Sequence, residues 1–219
     1  MRVMLVLASN SPRRRQLLEL GGWTFITLPA DIDERVLPGE NPHDYVLRLA
    51  EGKARRAQVL APKDAVLLAA DTAVIDGEEI LGKPADEKEA EAMLRRLRGH
   101  THQVYTALAI LDPASRKLLL DCCSTDVPIR DYSDEEMMAY IATGDPLDKA
   151  GAYAIQHAGF HPVENLEGCF ANVMGMPLCH LSRMLSQLGI APEKNVPLAC
   201  QGVIDSKCAM YLQILKMRQ

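Results

Sequence analysis

The sequence predicts an α/β protein built on a mixed sheet. Short apolar runs alternate with amphipathic stretches of helical period along the chain. The run AVLLAADTAVI (65–75) is almost continuously apolar and reads as a central buried strand. Asp76-Gly77 and Asp112-Pro113 each sit between apolar runs as hairpin turns, which adds antiparallel pairs to the sheet.

The elements follow in order. Residues 4–8 (MLVLA) form a short buried strand. Ser11 caps a helix, because its side chain can accept from the free N–H groups of the first turn, and Pro12 fits the first helical position. Leu17, Leu18 and Leu20 give that helix an apolar face, and Gly21-Gly22 stops it. Residues 23–28 are a second strand. Asn41-Pro42 opens a helix over 42–60, with Tyr45, Val46, Leu49 and Ala50 on one face. After the central strand and the Asp76-Gly77 turn, residues 79–81 return. Residues 86–97 are an amphipathic helix with Ala90, Met93, Leu94 and Leu97 inward. Residues 104–111 and 117–127 are paired strands. Ser133 starts a helix through 143, with Asp134, Glu135 and Glu136 in its first turn as the dipole prefers. Residues 174–188 contain a further helix, stopped by Gly189. Residues 1–190 are expected to form one domain. Residues 191–219 are expected to be an appendage, Pro-containing and poor in periodicity at first, with a short helix near 209–217.

Composition narrows the function classes. The chain has 219 residues, 48% hydrophobic and 24% charged, which suits one globular domain or one domain of two lobes. A net charge of −5 argues against general nucleic-acid binding. No apolar run approaches the roughly 18–20 residues of a membrane span. MRVMLVLASN is too short for a signal peptide and runs straight into a strand–helix unit, so a cytoplasmic chain is expected. The six cysteines contain no CxxC pair and are expected to be reduced.

Against the acidic background, LASNSPRRRQLL stands out. Arg13 and Arg14 fall in the first turn of a helix, where the dipole disfavours cations by a few tenths of a kcal/mol to about 1 kcal/mol each. An anion held between the N-terminal N–H groups and the two guanidinium groups would reverse that sign. Two arginines turned into water are the alternative.

Asp71 is the second such residue, a carboxylate inside an apolar run. It needs a partner, a metal ion or a strand end open to a cleft. Lys53 (AEGKA) and Lys83 (LGKP), taken singly, read as solvated surface lysines. The segment DKAGAYAIQ (148–156) places a Gly turn between a charged pair and an extended run. Asp31, Asp33 and Glu34 form an acidic cluster that is either a solvated face or a partner of Asp71 in holding a divalent ion. There is no P-loop, no GxGxxG and no GxSxG. His100 and His102 could form a zinc pair only with a third ligand. Cys200 and Cys208 could join Cys169 or Cys179 in a metal or redox site, or be buried small hydrophobes.

Taken together, LASNSPRRRQLL, DIDE (31–34), the Lys53 helix, AADT, LGKP, GHTHQVYT, DPLDKAGAYAIQ and NVMGMPL resemble the Maf family of nucleoside triphosphate pyrophosphatases, collinearly over roughly residues 4–190. The resemblance implies a two-lobed mixed-sheet fold, similar to the inosine-triphosphate pyrophosphatases, with the active site between the lobes. It implies cleavage of a nucleoside triphosphate to the monophosphate and pyrophosphate. Ser11, Arg13 and Arg14 match the family's phosphate-binding loop. Glu34, Lys53, Asp71, Lys83 and Gln156 match its other active-site positions, Asp71 as proton acceptor. Arg13, Thr72 and Gln156 look like the dTTP/UTP branch rather than the 7-methyl-GTP branch, and modified pyrimidine nucleotides fit a house-cleaning role. A Mg²⁺ or Mn²⁺ ion on Glu34 and Asp71 and a homodimer are further implications. Neighbouring cations are expected to hold the Asp71 pKa down, leaving metal-bound water as the source of hydroxide. A purine-directed pyrophosphatase and a nucleotide-binding regulator of cell division are the competing classes. The tail beyond 190 and residues 159–168 lie outside the matched motifs.

Overall fold

The computed structural model describes residues 3–204 and 208–216. The strands are β1 (Leu5–Leu7), β2 (Phe25–Thr27), β3 (Val66–Asp76), β4 (Glu79–Leu81), β5 (Thr101–Asp112) and β6 (Lys117–Pro128). The helices are α1 (Pro12–Leu20), α2 (Pro42–Gln58), α3 (Glu87–Leu97), α4 (Asp134–Ile141), α5 (Phe170–Val173), α6 (Leu178–Ser186), α7 (Val196–Ile204) and α8 (Tyr211–Lys216). Two tight 3₁₀ turns, Asp145–Asp148 and Ala150–Ala152, precede Gln156.

The expected mixed α/β sheet is present, in the order β2-β1-β3-β5-β6, with β4 added beside β3. β1 runs parallel to β2 and β3, while β4 and β5 run antiparallel to β3 and β6 antiparallel to β5. β5 occupies one edge of β3 almost from end to end. The opposite edge is shared. β1 pairs with it at Val66, Leu67 and Leu68, and β4 at Val74, Ile75 and Asp76. Among the described residues, no strand covers that edge between Leu68 and Val74. Asp71 and Thr72 lie in the middle of this opening, which separates the two lobes.

Three cores hold the lobes. On one face of the first lobe Leu5, Leu7, Leu68 and Ala70 pack with Leu17 and Leu18 of α1 and Leu181 and Leu185 of α6. On the other face α2 lies on the sheet through small side chains: Ala50, Ala54 and Ala57 meet Ala69, Ala73, Ala107 and Ala109. Alanine on both sides lets helix and sheet approach closely. The second lobe is built around Val74, Leu81, Leu94, Val104, Val127 and Tyr140.

The helix starts follow the sequence signals. Ser11, Asn41, Asp86 and Ser133 each accept from the backbone N–H three residues on, and Ser133 with Glu136 completes a capping box. The tail ends in the short helix expected near 209–217, α8, and differs from expectation before it. Residues 196–204, read as poor in periodicity, form α7. Asn195 accepts from Leu198 N at 3.1 Å, and Pro197 falls in the first turn, where its missing N–H costs nothing. α7 lies against α1 and α6, and α8 against α6. Val196 and Ile214 enter the same core as Trp23 and Leu181. No helix among the described residues is long and apolar enough to cross a membrane.

Candidate active site

The opening on β3 leads into a cavity of about 800 Å³, lined by every residue the sequence singled out as a site residue. Ser11, Arg13 and Arg14 come from the start of α1, Glu34 from the loop before α2, and Lys53 from α2. Asp71 and Thr72 come from β3, Lys83 from the segment after β4, and Gln156 from a turn at 155–156 that cuts short the extended run expected there.

Successive residues of a strand point to opposite faces. Asp71 therefore lies under α2 and Thr72 faces the α1 side. Both reach the cavity because the sheet edge is open between them and β1. Asp71 is 6% exposed and Lys53 9%. Lys53 is on the buried face of α2, and its ammonium lies 2.6 Å from Asp71 Oδ1 and 2.7 Å from Glu34 Oε1. The surface-lysine reading of Lys53 is thus replaced by a buried bridge between two carboxylates. Lys83 stands exposed on the opposite rim.

The expected direction of the Asp71 pKa is overturned. Burial raises it, and this outweighs the lowering by Lys53 and Arg14. The sequence shows both the cations and the apolar run, but not which of the two effects is larger. Desolvation by the alanine-lined strand is the larger effect.

Of the acidic cluster, Glu34 alone joins Asp71 at Lys53. Asp33 turns outward to Arg35, which holds its carboxyl down to about 2. Asp31 lies on the cavity wall. The Glu34 loop is held on α2 by Tyr45, whose hydroxyl donates to the Glu34 carbonyl at 2.9 Å, and by Arg48, which donates to the Arg35 carbonyl at 3.0 Å. The sequence places Tyr45 on the apolar face of α2 and carries no sign of this bond.

Ser11 Oγ accepts from Arg14 N at 3.4 Å and is spent in part on capping α1. Arg14 turns along the cavity floor. Its Nε donates to the Gly175 carbonyl at 3.0 Å and its Nη2 to Thr72 Oγ1 at 3.2 Å. Burial lowers its pKa, Asp71 and Glu34 raise it and Arg13 lowers it, and a guanidinium stays charged through all of these. Gly175 has φ +99°, and a Cβ there would meet Thr72 Oγ1 at 3.1 Å and Arg14 Nε at 3.5 Å. The glycine of NVMGMPL is therefore required by close approach as well as by backbone conformation. Gly151, also at positive φ, donates to the Gly82 carbonyl at 3.0 Å and ties the 148–156 segment to the Lys83 segment.

The other metal readings do not form. His100 bonds to Asp76 and His102 to Tyr153, so the two imidazoles part. Cys169, Cys179, Cys200 and Cys208 come near one another, yet no group of three or more His, Cys, Asp or Glu among the described residues could hold a metal ion.

An open α/β sheet whose cleft, at a gap in the strand pairing along β3, gathers Arg13, Arg14, Lys53 and Lys83 around Glu34 and Asp71 defines a protein built to hold polyanions. The model of the Maf-like protein family matches residues 4–188, and the chain belongs to that family. It is similar to a protein of Geobacter sp. named dTTP/UTP pyrophosphatase, 49% identical over 84% of this chain and 95% of that relative. A protein of Anaeromyxobacter dehalogenans with the same name is 50% identical over 84% of this chain and 94% of its own length. Among solved structures, the Staphylococcus aureus Ham1 protein is 14% identical, covers 92% of this chain and 98% of its own, and gives a TM-score of 0.44.

Proposed function

We propose that the chain is a nucleoside triphosphate pyrophosphatase acting on dTTP and UTP, and on related modified pyrimidine nucleotides. The carrying observation is one cavity in which Arg13, Arg14 and Lys83 surround the Glu34–Lys53–Asp71 bridge. The names of the relatives, at about half identity over most of both chains, support the same substrates.

The residues divide the work. Arg13, Arg14 and Lys83 bind the triphosphate and neutralise charge that develops on the departing pyrophosphate. Water attacks the α-phosphorus, and the bond to the α–β bridging oxygen breaks. Asp71, its pKa raised by burial, orients that water and accepts its proton. Gln156, exposed at the cavity rim, accepts from N3–H and donates to O4 of uracil or thymine.

Glu34 and Asp71 suit a Mg²⁺ or Mn²⁺ ion. Both carboxylates reach a single nitrogen, Lys53 Nζ, so both can reach one cation. Mg²⁺ is commonly held by one or two carboxylates with phosphate oxygens and water completing its shell. When bound, such an ion supplies further neutralisation of the phosphate oxygens.

The test is pyrophosphate release from dTTP, UTP, CTP, GTP, 7-methyl-GTP and 5-methyl-UTP with Mg²⁺, Mn²⁺ or EDTA. Metal-dependent release led by dTTP and UTP is expected. Release led by 7-methyl-GTP would keep the chemistry and overturn the base preference. No release by a folded protein that still binds nucleotides would move the function to a nucleotide-binding regulator.

A further inference from the structure

We propose that Thr106 is a positioning residue for Arg14: it acts through Thr72 and commits the Thr72 hydroxyl to accept from Arg14 rather than donate into the cavity. The proposal rests on the pyrophosphatase reading only for its kinetic readout.

The argument is one of hydrogen-bond direction. Thr106 stands opposite Thr72 across the β3–β5 pair and is fully buried, so it touches no substrate. Its Oγ1 lies 2.8 Å from the Asn172 carbonyl oxygen. A carbonyl can only accept, so the single hydroxyl proton of Thr106 points at Asn172. Thr106 Oγ1 also lies 2.9 Å from Thr72 Oγ1. With its own proton spent, Thr106 must accept there, and the proton between the two threonines belongs to Thr72. Arg14 Nη2, a donor only, lies 3.2 Å from Thr72 Oγ1 and finds a lone pair facing it.

The chain of bonds closes on itself. Arg14 Nε donates to the Gly175 carbonyl at 3.0 Å, and Gly175 N donates to the same Asn172 carbonyl at 2.8 Å. The Asn172 oxygen thus takes two donors, one for each lone pair. Asn172 is itself fully buried and anchored, its Nδ2 donating to the Val104 carbonyl and to Thr125 Oγ1, both at 2.9 Å. Arg14 is held at two points of a ring whose far side is fixed in β5 and β6. A consequence follows for Thr72. Its one proton is used inward, so it offers the cavity a lone pair and no donor. Phosphate oxygens are acceptors, so Thr72 affects phosphate binding through Arg14 and not by direct contact.

The test is a Thr106→Val, Thr106→Ser, Thr72→Val and double-variant series. It is read by dTTP kinetics and by competitive inhibition with inorganic triphosphate. Thr106→Val keeps the shape and removes the relay. KM for dTTP and Ki for inorganic triphosphate should both rise about tenfold, the scale of a lost bond to a charged group, with kcat within about threefold. Thr106→Ser should restore both constants. The double variant should cost about as much as either single one, because both cut the same ring. A product of the two single effects, an unmoved KM in Thr106→Val, or failure of Ser to restore would overturn the proposal. If wild-type protein cleaves no nucleotide, the pyrophosphatase reading fails. The same series, read by calorimetric Kd for inorganic triphosphate, then still decides the relay. If Thr106→Val does not fold, Thr106→Ala takes its place with the Ser variant as control.

Discussion

Lys53 Nζ lies 2.6 Å from Asp71 Oδ1 and 2.7 Å from Glu34 Oε1, so one ammonium joins a buried carboxylate on the central strand to an exposed one on a loop. The two acids come from segments 37 residues apart in sequence, 71 minus 34, and meet only through α2. Removing the lysine leaves two carboxylates facing each other without a cation, whereas removing either acid leaves a balanced pair, so substitutions at the three positions have distinguishable effects.

Asp71→Asn keeps the size of the side chain and removes its ability to take a proton. Turnover should fall by about 10²–10⁴, the usual contribution of a positioned base. Nucleotide binding, measured by calorimetry in EDTA so that the loss of a metal ligand does not enter, should change little. Loss of binding and turnover together would count against Asp71 as the base.

Lys53→Met leaves Asp71 buried beside Glu34 without its nearest cation. Removing one partner of a buried pair costs about 3 kcal/mol or more. The pH dependence has a definite sign. Burial already raises the Asp71 pKa, and loss of Lys53 raises it further. The folded form then holds a proton that the unfolded chain releases, so stability is greater at low pH and is lost as pH rises through the folded pKa. Denaturant unfolding should show a larger deficit against wild type at pH 8 than at pH 5. A deficit independent of pH would mean the lysine contributes packing and not charge.

Gly175→Ala places a Cβ 3.1 Å from Thr72 Oγ1 at a φ of +99°. The strain should lower stability by about 1–3 kcal/mol. Because the same Cβ crowds Arg14, the KM for nucleotide should rise as well. Stability loss with an unchanged KM would show that Arg14 adjusts without cost.

His102 gives a separate pH prediction away from the cleft. It is buried against Tyr153 OH at 2.8 Å, and burial pushes its pKa down to about 4 from the ordinary value of 6.5. Between those values the unfolded chain binds the proton and the folded one does not. Stability therefore falls as pH drops from 6.5 toward 4, by about 2 kcal/mol on reaching pH 5. His102→Gln keeps a polar partner for Tyr153 and should flatten the slope between pH 7 and pH 5. An equal slope in both proteins would assign it to other groups.

Much of this protein is determined by sequence alone, because the signals are local. Ser11-Pro12, Asn41-Pro42, Asp86 and Ser133 start their helices where the capping chemistry puts them, since a cap needs only three residues of chain. The apolar run of β3, its hairpin at Asp76-Gly77 and the misplaced arginines of α1 are likewise visible in short windows. α7 was missed because Pro197 and Gly202 mask its weak period, and its formation depends on a core that α1 and α6 supply. What only the tertiary structure decided is which groups meet. A lysine on α2 is buried because alanines on two elements let helix and sheet approach. The Asp71 pKa is raised because the field of its cations is weaker than the desolvation of its strand. Thr106, Asn172 and Gly175 carry no charge and follow no sequence period, yet they fix Arg14 through hydrogen bonds between residues as many as 161 positions apart. A hydrogen bond depends on distance and direction in space, and those are set by packing.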